Sequence, residues 1–289
     1  MMALPSRASN QKLAYSPLKT FTLSVRKCPV ILLAGLFATV STVVPQDEPL
    51  GNEEHEREEL GVNPYTAPSI ARIFQQLDNL KPLRFDQLKR DLPTSISASR
   101  QQKGLIFGEL IADGFLIVAT ERKNLVEEFG RVLLREGRAL GVAERVMRHS
   151  ASLTELGRRG DWAKVRKELI ATQTDVEQAM VELRDEKMAH LISLGGWLRG
   201  LEISSTVVGA NFSTERAKIL AQPDLANYFT AEVKTLPPVL VHTPLFERIR
   251  AAVQQIDGVI GRSAILSIND IKTVQAAAKS ANDAIRHVD

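Results

Sequence analysis

The spacing of hydrophobic residues is helical over most of the chain. From residue 66 to residue 289, apolar side chains recur every three or four positions. This is the period of an amphipathic α-helix, whereas a half-buried strand alternates strictly between apolar and polar residues. Residues 239–241 are the one weak candidate for a strand. The pattern predicts a single all-α domain over residues 66–289, folded as a multi-helix bundle.

Prolines and capping residues mark the expected helix ends. Pro82 and Pro244 stand where a first helical residue is expected, Pro237 and Pro238 interrupt the chain, and Ser267 begins a capping-box pattern. We predict helices over residues 66–79, 82–90, 95–120, 121–139, 142–157, 161 to about 208, 214–222, 223–234, 244–257 and 267–287.

Two of these helices are apolar on every side. Residues 104–119 contain two charged residues, Glu109 and Asp113, and the second half of the helix predicted from residue 161 contains Arg199 and Glu202 after His190. A helix that is apolar all round is normally enclosed by other helices. We therefore expect these two helices at the centre of the bundle, with amphipathic helices around them.

Small residues recur every four positions on both of these helices. The first carries Gly104, Gly108 and Ala112, and the second carries Gly196 and Gly200. Each glycine lowers helix stability by roughly 1 kcal/mol relative to alanine, so their repetition on one face needs a structural cause. Close approach of two helix backbones is such a cause, best known from membrane helices. We predict that the two helices cross with these glycine faces in contact.

Three charged residues on these helices form the candidate site. Glu109 and Asp113 lie one helical turn apart, and Arg199 shares the face of Gly196 and Gly200. If the glycine faces meet, the guanidinium of Arg199 can reach either carboxylate. Two interpretations stay open. One is a buried ion pair that fixes the packing of the helices; the other is an internal polar site that binds a small ligand or a cation.

The first 44 residues have the form of an export signal. This segment contains five basic residues and no acidic one, an apolar run fills residues 30–44, and Thr39 and Ser41 are the small residues of a cleavage site after Ser41. A signal of this kind predicts a periplasmic or secreted protein. The alternatives are an uncleaved membrane anchor over residues 28–44 and an organellar transit peptide.

The charge of the rest of the chain differs from that of the whole. Residues 45–65 hold seven acidic residues and are expected to be a flexible spacer. The full chain has a net charge of +3 and a pI near 9.0. Without residues 1–44, 32 basic residues face 34 acidic ones, a net charge of −2. The excess of basic residues therefore lies in residues 1–44, the leader, and we expect no nucleic-acid partner.

No motif for catalysis or for a cofactor is found in the sequence. There is no Gly-x-Ser-x-Gly elbow, phosphate loop or dinucleotide fingerprint, and the five histidines are too scattered for a zinc or di-iron site. The single cysteine, Cys28, lies in the leader, so the rest of the chain has no thiol for a disulfide or a metal. We expect no cofactor, no metal and no catalytic residue.

These observations favour a non-enzymatic function. We expect a periplasmic or envelope-associated helical protein that binds a protein or small-molecule partner, with membrane contact only through a retained leader. The alternative is a protein that binds a small ligand or a cation at Glu109, Asp113 and Arg199.

Overall fold

The computed structural model describes residues 70–93, 98–182, 185–262 and 265–287. Within these residues all regular structure is helical and no strand occurs, which confirms the predicted all-α class. The expected leader and acidic spacer lie outside the described residues.

The helices are numbered here in chain order. They are α1 Ile70–Asn79, α2 Phe85–Leu88, α3 Arg100–Ala119, α4 Lys123–Leu140, α5 Ala143–Arg159, α6 Trp162–Glu182, α7 Glu186–Ala210, α8 Thr214–Ala217, the 3-10 helix Lys218–Leu220, α9 Pro223–Thr235, α10 Pro238–Val241, α11 Pro244–Ile260 and α12 Ile268–Arg286.

The ends of several helices follow from local chemistry. The Ser99 hydroxyl accepts a hydrogen bond from the Gln102 N–H at the start of α3. The capping box of Ser267 and Asp270 at the start of α12 is confirmed, with each side chain bonded to the other residue's backbone N–H. Gly141 follows α4 with a positive φ of 85°, a conformation that glycine adopts without steric cost.

The structure corrects three of the shorter predicted elements. The candidate strand at residues 239–241 lies in α10, a short helix that begins at Pro238. The helix predicted over residues 82–90 is a single turn, Phe85–Leu88. The helix predicted over residues 214–222 is α8 followed by the 3-10 helix Lys218–Leu220.

The long helix predicted from residue 161 to about residue 208 is two helices. α6 ends at Glu182 and α7 begins at Glu186. The hydrophobic stripe that suggested one helix is buried on both sides of the break, as at Val176 and Leu191, whereas Lys187 on the same stripe is exposed. Periodicity does not reveal the break, because both halves bury the same face.

The backbones of α3 and α7 touch at glycine residues. Every residue of α3 from Gly104 to Ala119 is buried. A Cβ added to Gly108 would lie 1.8 Å from the carbonyl oxygen of Ile192, and one added to Gly195 would lie 2.1 Å from the carbonyl oxygen of Leu105. No side chain fits at these distances, so the two helices pack this closely only with glycine at both positions.

Candidate functional site

The fold brings Arg199 of α7 against Asp113 of α3. The Arg199 side chain is 2% exposed, and its Nε donates a hydrogen bond to Asp113 Oδ1 at 2.7 Å. Its Nη1 donates to Glu202 Oε2 at 3.0 Å, and its Nη2 donates to the carbonyl oxygen of Leu88. The guanidinium is therefore shared among three acceptors instead of forming a bidentate pair with one carboxylate.

Glu109 has a different partner. Its carboxylate accepts a hydrogen bond from Nε of Arg286, at the end of α12, and its side chain is completely buried. Arg286 Nη2 lies 3.6 Å from Asp113 Oδ2, so the same arginine also faces the second carboxylate. The last helix thus supplies the positive charge that faces Glu109.

A third arginine, Arg90, joins this group of charged side chains from the segment between α2 and α3. Arg90 Nη2 donates to Glu202 Oε1 and to Asp283 Oδ1, each at 2.9 Å. Asn282 Nδ2 donates to Glu202 Oε2 at 2.8 Å. We call Arg90, Glu109, Asp113, Arg199, Glu202 and Arg286 the charge cluster.

Burial has the largest effect on the pKa of the two acidic residues of α3, Glu109 and Asp113. Loss of hydration raises the pKa of Glu109 to about 7, although the neighbouring Arg286 acts in the opposite direction. Burial also raises the pKa of Asp113, against the effect of Arg199. Glu109 Oε1, Asp113 Oδ2 and Arg286 Nη2 are buried without a hydrogen-bond partner in the described part of the chain. Glu109 can therefore hold a proton near neutral pH.

The sequence indicated only part of this cluster. It placed Glu109, Asp113 and Arg199 together, and it named Glu202 as a buried charge without assigning it a partner. It did not indicate Arg90 or Arg286, because each is a single arginine in a charged surface pattern. Which arginines lie beside these acidic residues depends on where α12 and the segment after α2 pack.

A separate pocket lies between α3 and α7 on the side of α1. It has a volume of about 80 Å³, and its walls come from α1, α3, α7 and the stretch from Ile219 to Leu225. Gly108, Gly196 and Gly200 border it, so we call it the glycine pocket. Among its described lining residues, none belongs to the charge cluster and none carries a charge.

Glycine creates part of the space in this pocket. A Cβ added to Gly200 would meet no described atom within 4 Å. Gly196 differs, because its Cβ would lie 3.3 Å from the carbonyl oxygen of Gly108. Gly108 and Gly196 therefore allow the helices to meet, whereas Gly200 leaves the pocket open.

α1 forms one wall of the pocket and is anchored on both sides. Asp78 accepts two hydrogen bonds from Arg166 of α6, at 2.6 and 2.9 Å, and this pairing holds the pKa of Asp78 well below its usual range. Phe74 packs edge-on against Phe115 of α3, with ring centroids 4.7 Å apart. These contacts keep Leu77 of α1 against the pocket.

Two polar side chains in the pocket lining have unused hydrogen-bonding groups. Ser193 and Trp197 lie one turn apart on α7, and each is at least nine-tenths buried. Neither Ser193 Oγ nor Trp197 Nε1 has a hydrogen-bond partner among the described residues. The Trp197 ring stacks on Phe229 of α9 at 4.7 Å between centroids, which restricts its orientation.

The described residues contain no group of three or more His, Cys, Asp or Glu side chains arranged to hold a metal ion. None of their helices combines the length and the apolar character needed to cross a membrane.

Comparisons of the chain with protein families, curated proteins and solved structures give no significant match.

Proposed function

We propose that the protein is a non-enzymatic helical binding protein, exported behind a cleaved leader, and that a small apolar ligand occupies the glycine pocket. The observation that carries this proposal is the open space at Gly200, in an uncharged pocket between two helices that otherwise pack backbone to backbone. Ligand sites are concave and mostly apolar, with a few polar groups that orient the ligand. The glycine pocket has this composition.

In the same proposal, α3 and α7 are the central helices of the bundle and the others surround them. The complete burial of α3 from Gly104 onward and the contact at Gly108 and Gly195 support this arrangement. Because these two helices cannot move apart without breaking that contact, the pocket between them is preformed.

The alternative is ligand or cation binding at Glu109, Asp113 and Arg199. Glu109 Oε1 and Asp113 Oδ2, which have no hydrogen-bond partner in the described residues, favour it. Against it, Arg286 and Arg199 already form ion pairs with the two carboxylates. We therefore assign the cluster to holding α12 against α3 and α7, and expect no saturable heat when Mg²⁺ or Ca²⁺ is titrated into the protein in a calorimeter.

Filling the pocket tests the proposed function. Cyclopentane serves as the probe, in gas-tight samples followed by ¹⁵N–¹H NMR. We expect saturable shifts at the backbone amides of Ser193 and Trp197 in the wild type. Gly200→Leu should abolish them, because the new side chain occupies the open space, and Gly200→Ala should weaken them.

The matched control is Gly258→Leu. Gly258 lies on an exposed face of α11, and a Cβ there also meets no described atom within 4 Å. Both leucine substitutions replace a helical glycine, which favours the helix by up to roughly 1 kcal/mol. Equal or higher melting temperatures in both variants, with binding lost only in Gly200→Leu, are expected. Cyclopentane binding that survives in Gly200→Leu would contradict the proposal.

A further inference from the structure

The buried hydroxyl of Ser193 differs from others on the same helix. Ser205 of α7 is also buried, and its Oγ donates to the Leu201 carbonyl oxygen, one turn earlier, at 2.6 Å. Thr206 makes the same kind of bond with Glu202 at 2.6 Å. Ser193, 4% exposed, has no such partner in the described structure. Its hydroxyl is therefore an unused donor, among the described residues, on a side chain of the pocket lining.

The indole of Trp197 provides a second donor. Buried indole N–H groups normally find an acceptor, and leaving a buried donor unpaired is unfavourable. Trp197 is 9% exposed, and its Nε1 is unpaired within the described residues. Because residues four apart lie on one helix face, these two unused donors belong to neighbouring side chains of the same pocket wall.

The remaining lining decides the charge of the ligand. Its other polar side chains, Gln76, Ser204 and Gln222, are uncharged and half-buried. An ionised carboxylate loses far more hydration energy on burial than a neutral carbonyl, and it needs a paired cation to offset the loss. None of the described lining residues provides that cation. The lining therefore favours a neutral acceptor.

The volume limits the size of the ligand. The pocket has a volume of about 80 Å³ and is partly open to solvent. This volume is well below the roughly 300–1,000 Å³ of sites for drug-sized molecules. A body of a few carbon atoms fits this space.

We propose that the ligand of the glycine pocket is a small neutral molecule with an apolar body and one carbonyl oxygen, such as a short ketone, aldehyde or ester. The carbonyl oxygen accepts hydrogen bonds from Trp197 Nε1 and Ser193 Oγ, while the apolar body lies against Leu201 and the glycines. This inference rests on the proposed binding function and adds the chemical class of the ligand.

Three probes of similar size test the ligand class: cyclopentanone, cyclopentane and pentanoate. The first two differ by one oxygen atom, and the third carries a negative charge. We expect cyclopentanone to bind about tenfold more tightly than cyclopentane, which corresponds to about 1.4 kcal/mol and lies within the range of a net hydrogen bond. Pentanoate should bind more weakly than either.

The two tryptophans provide an internal reference in the NMR titration. The indole N–H resonance of Trp197 should move on addition of cyclopentanone, whereas that of Trp162, which lies outside the pocket lining, should not. Trp197→Phe keeps an aromatic ring on Phe229 and removes the donor. In this variant the advantage of cyclopentanone over cyclopentane should fall by most of the tenfold, with cyclopentane binding unchanged. Ser193→Ala should reduce the advantage as well, and Trp162→Phe should not.

The outcomes separate the two proposals. Equal affinity for cyclopentanone and cyclopentane in the wild type would overturn the ligand class and leave the binding function standing. Tighter binding of pentanoate would also overturn it, in favour of an anionic ligand. If no probe saturates the pocket, the proposed function fails as well.

Discussion

Glu109 is a side chain whose ionisation depends strongly on its burial in the fold. Its pKa rises from an ordinary value of 4.5 to about 7, because burial removes its hydration while Arg286 compensates only in part. Between these values the folded protein binds the proton more tightly than the unfolded chain. The contribution of Glu109 to stability therefore falls as the pH rises from 4.5 to about 7, and it is constant outside this range.

Glu109→Gln should remove this pH dependence. We expect the variant to gain stability relative to the wild type between pH 4 and pH 8, by on the order of 3 kcal/mol, since one pKa unit corresponds to about 1.4 kcal/mol. Urea unfolding at pH 4, 6 and 8 measures the difference. Glu128→Gln, at an exposed position of α4, serves as the control and should follow the wild type at every pH. A constant difference between Glu109→Gln and the wild type would contradict the raised pKa.

Arg199 is the second residue for which burial gives a clear expectation. Its removal leaves Asp113 and Glu202 without their shared cation in a buried region. We expect Arg199→Ala to lower the free energy of unfolding by about 3–5 kcal/mol. Arg159→Ala, which breaks an exposed pair with Glu155, should change it by about 1 kcal/mol or less. Thermal and urea unfolding compare the two, and equal melting of Arg199→Ala and the wild type would contradict a buried pair.

At the level of helices, α3 and α7 are in contact through backbone atoms. Unlike a side chain, these atoms cannot rotate away from an added Cβ. A Cβ on Gly108 would fall 1.8 Å from a carbonyl oxygen of α7. Gly108→Ala should therefore destabilise the protein by at least the 1–3 kcal/mol typical of overpacked cores, although alanine favours the helix itself. Gly258→Ala should instead stabilise it, by up to roughly 1 kcal/mol. Urea unfolding of the two variants gives the sign of each effect, and a stabilised Gly108→Ala would contradict the close contact.

The sequence predicts helix identity better than helix continuity. The apolar stripe through Val176 and Leu191 continues across the break between α6 and α7, because both helices bury the same periodic face. The capping box at Ser267 was predictable because its hydrogen bonds join residues three apart. The break at Asp185 leaves no such local signal except the charged residue Lys187 on the apolar stripe.

The candidate sites likewise combine residues that the sequence indicates with residues that it does not. Glu109 and Asp113 stand out because few charges occur in an apolar helix. Arg286 is 177 residues from Glu109 in the chain, and its position beside Glu109 depends on the docking of α12. The glycine pocket was not predicted either. A glycine that allows contact, Gly196, and a glycine that leaves space, Gly200, have the same pattern in the sequence.

At the scale of the whole molecule, polar and apolar sites occupy different parts of the α3–α7 pair. The charge cluster joins α3 and α7 to α12, whereas the glycine pocket is bounded by α1 and the stretch from Ile219 to Leu225. Since no described residue of the cluster lines the pocket, ligand binding and the ionisation of Glu109 should be independent. The affinity for cyclopentane is therefore expected to be the same at pH 6 and pH 8.

Export predicts a change in the charge of the whole molecule. The full chain has a mass of 31.9 kDa and a pI near 9.0, whereas the chain without residues 1–44 has a net charge of −2. We expect protein recovered from the cells that make it to begin at Thr42 and to focus on the acidic side of neutrality. N-terminal sequencing, intact mass and isoelectric focusing measure these properties. Ser41→Arg places a large charged residue at the cleavage site and should retain the leader, with a pI near 9 or above. Wild-type protein that keeps its full mass and basic pI would show that the leader is retained, and would favour the membrane anchor over residues 28–44.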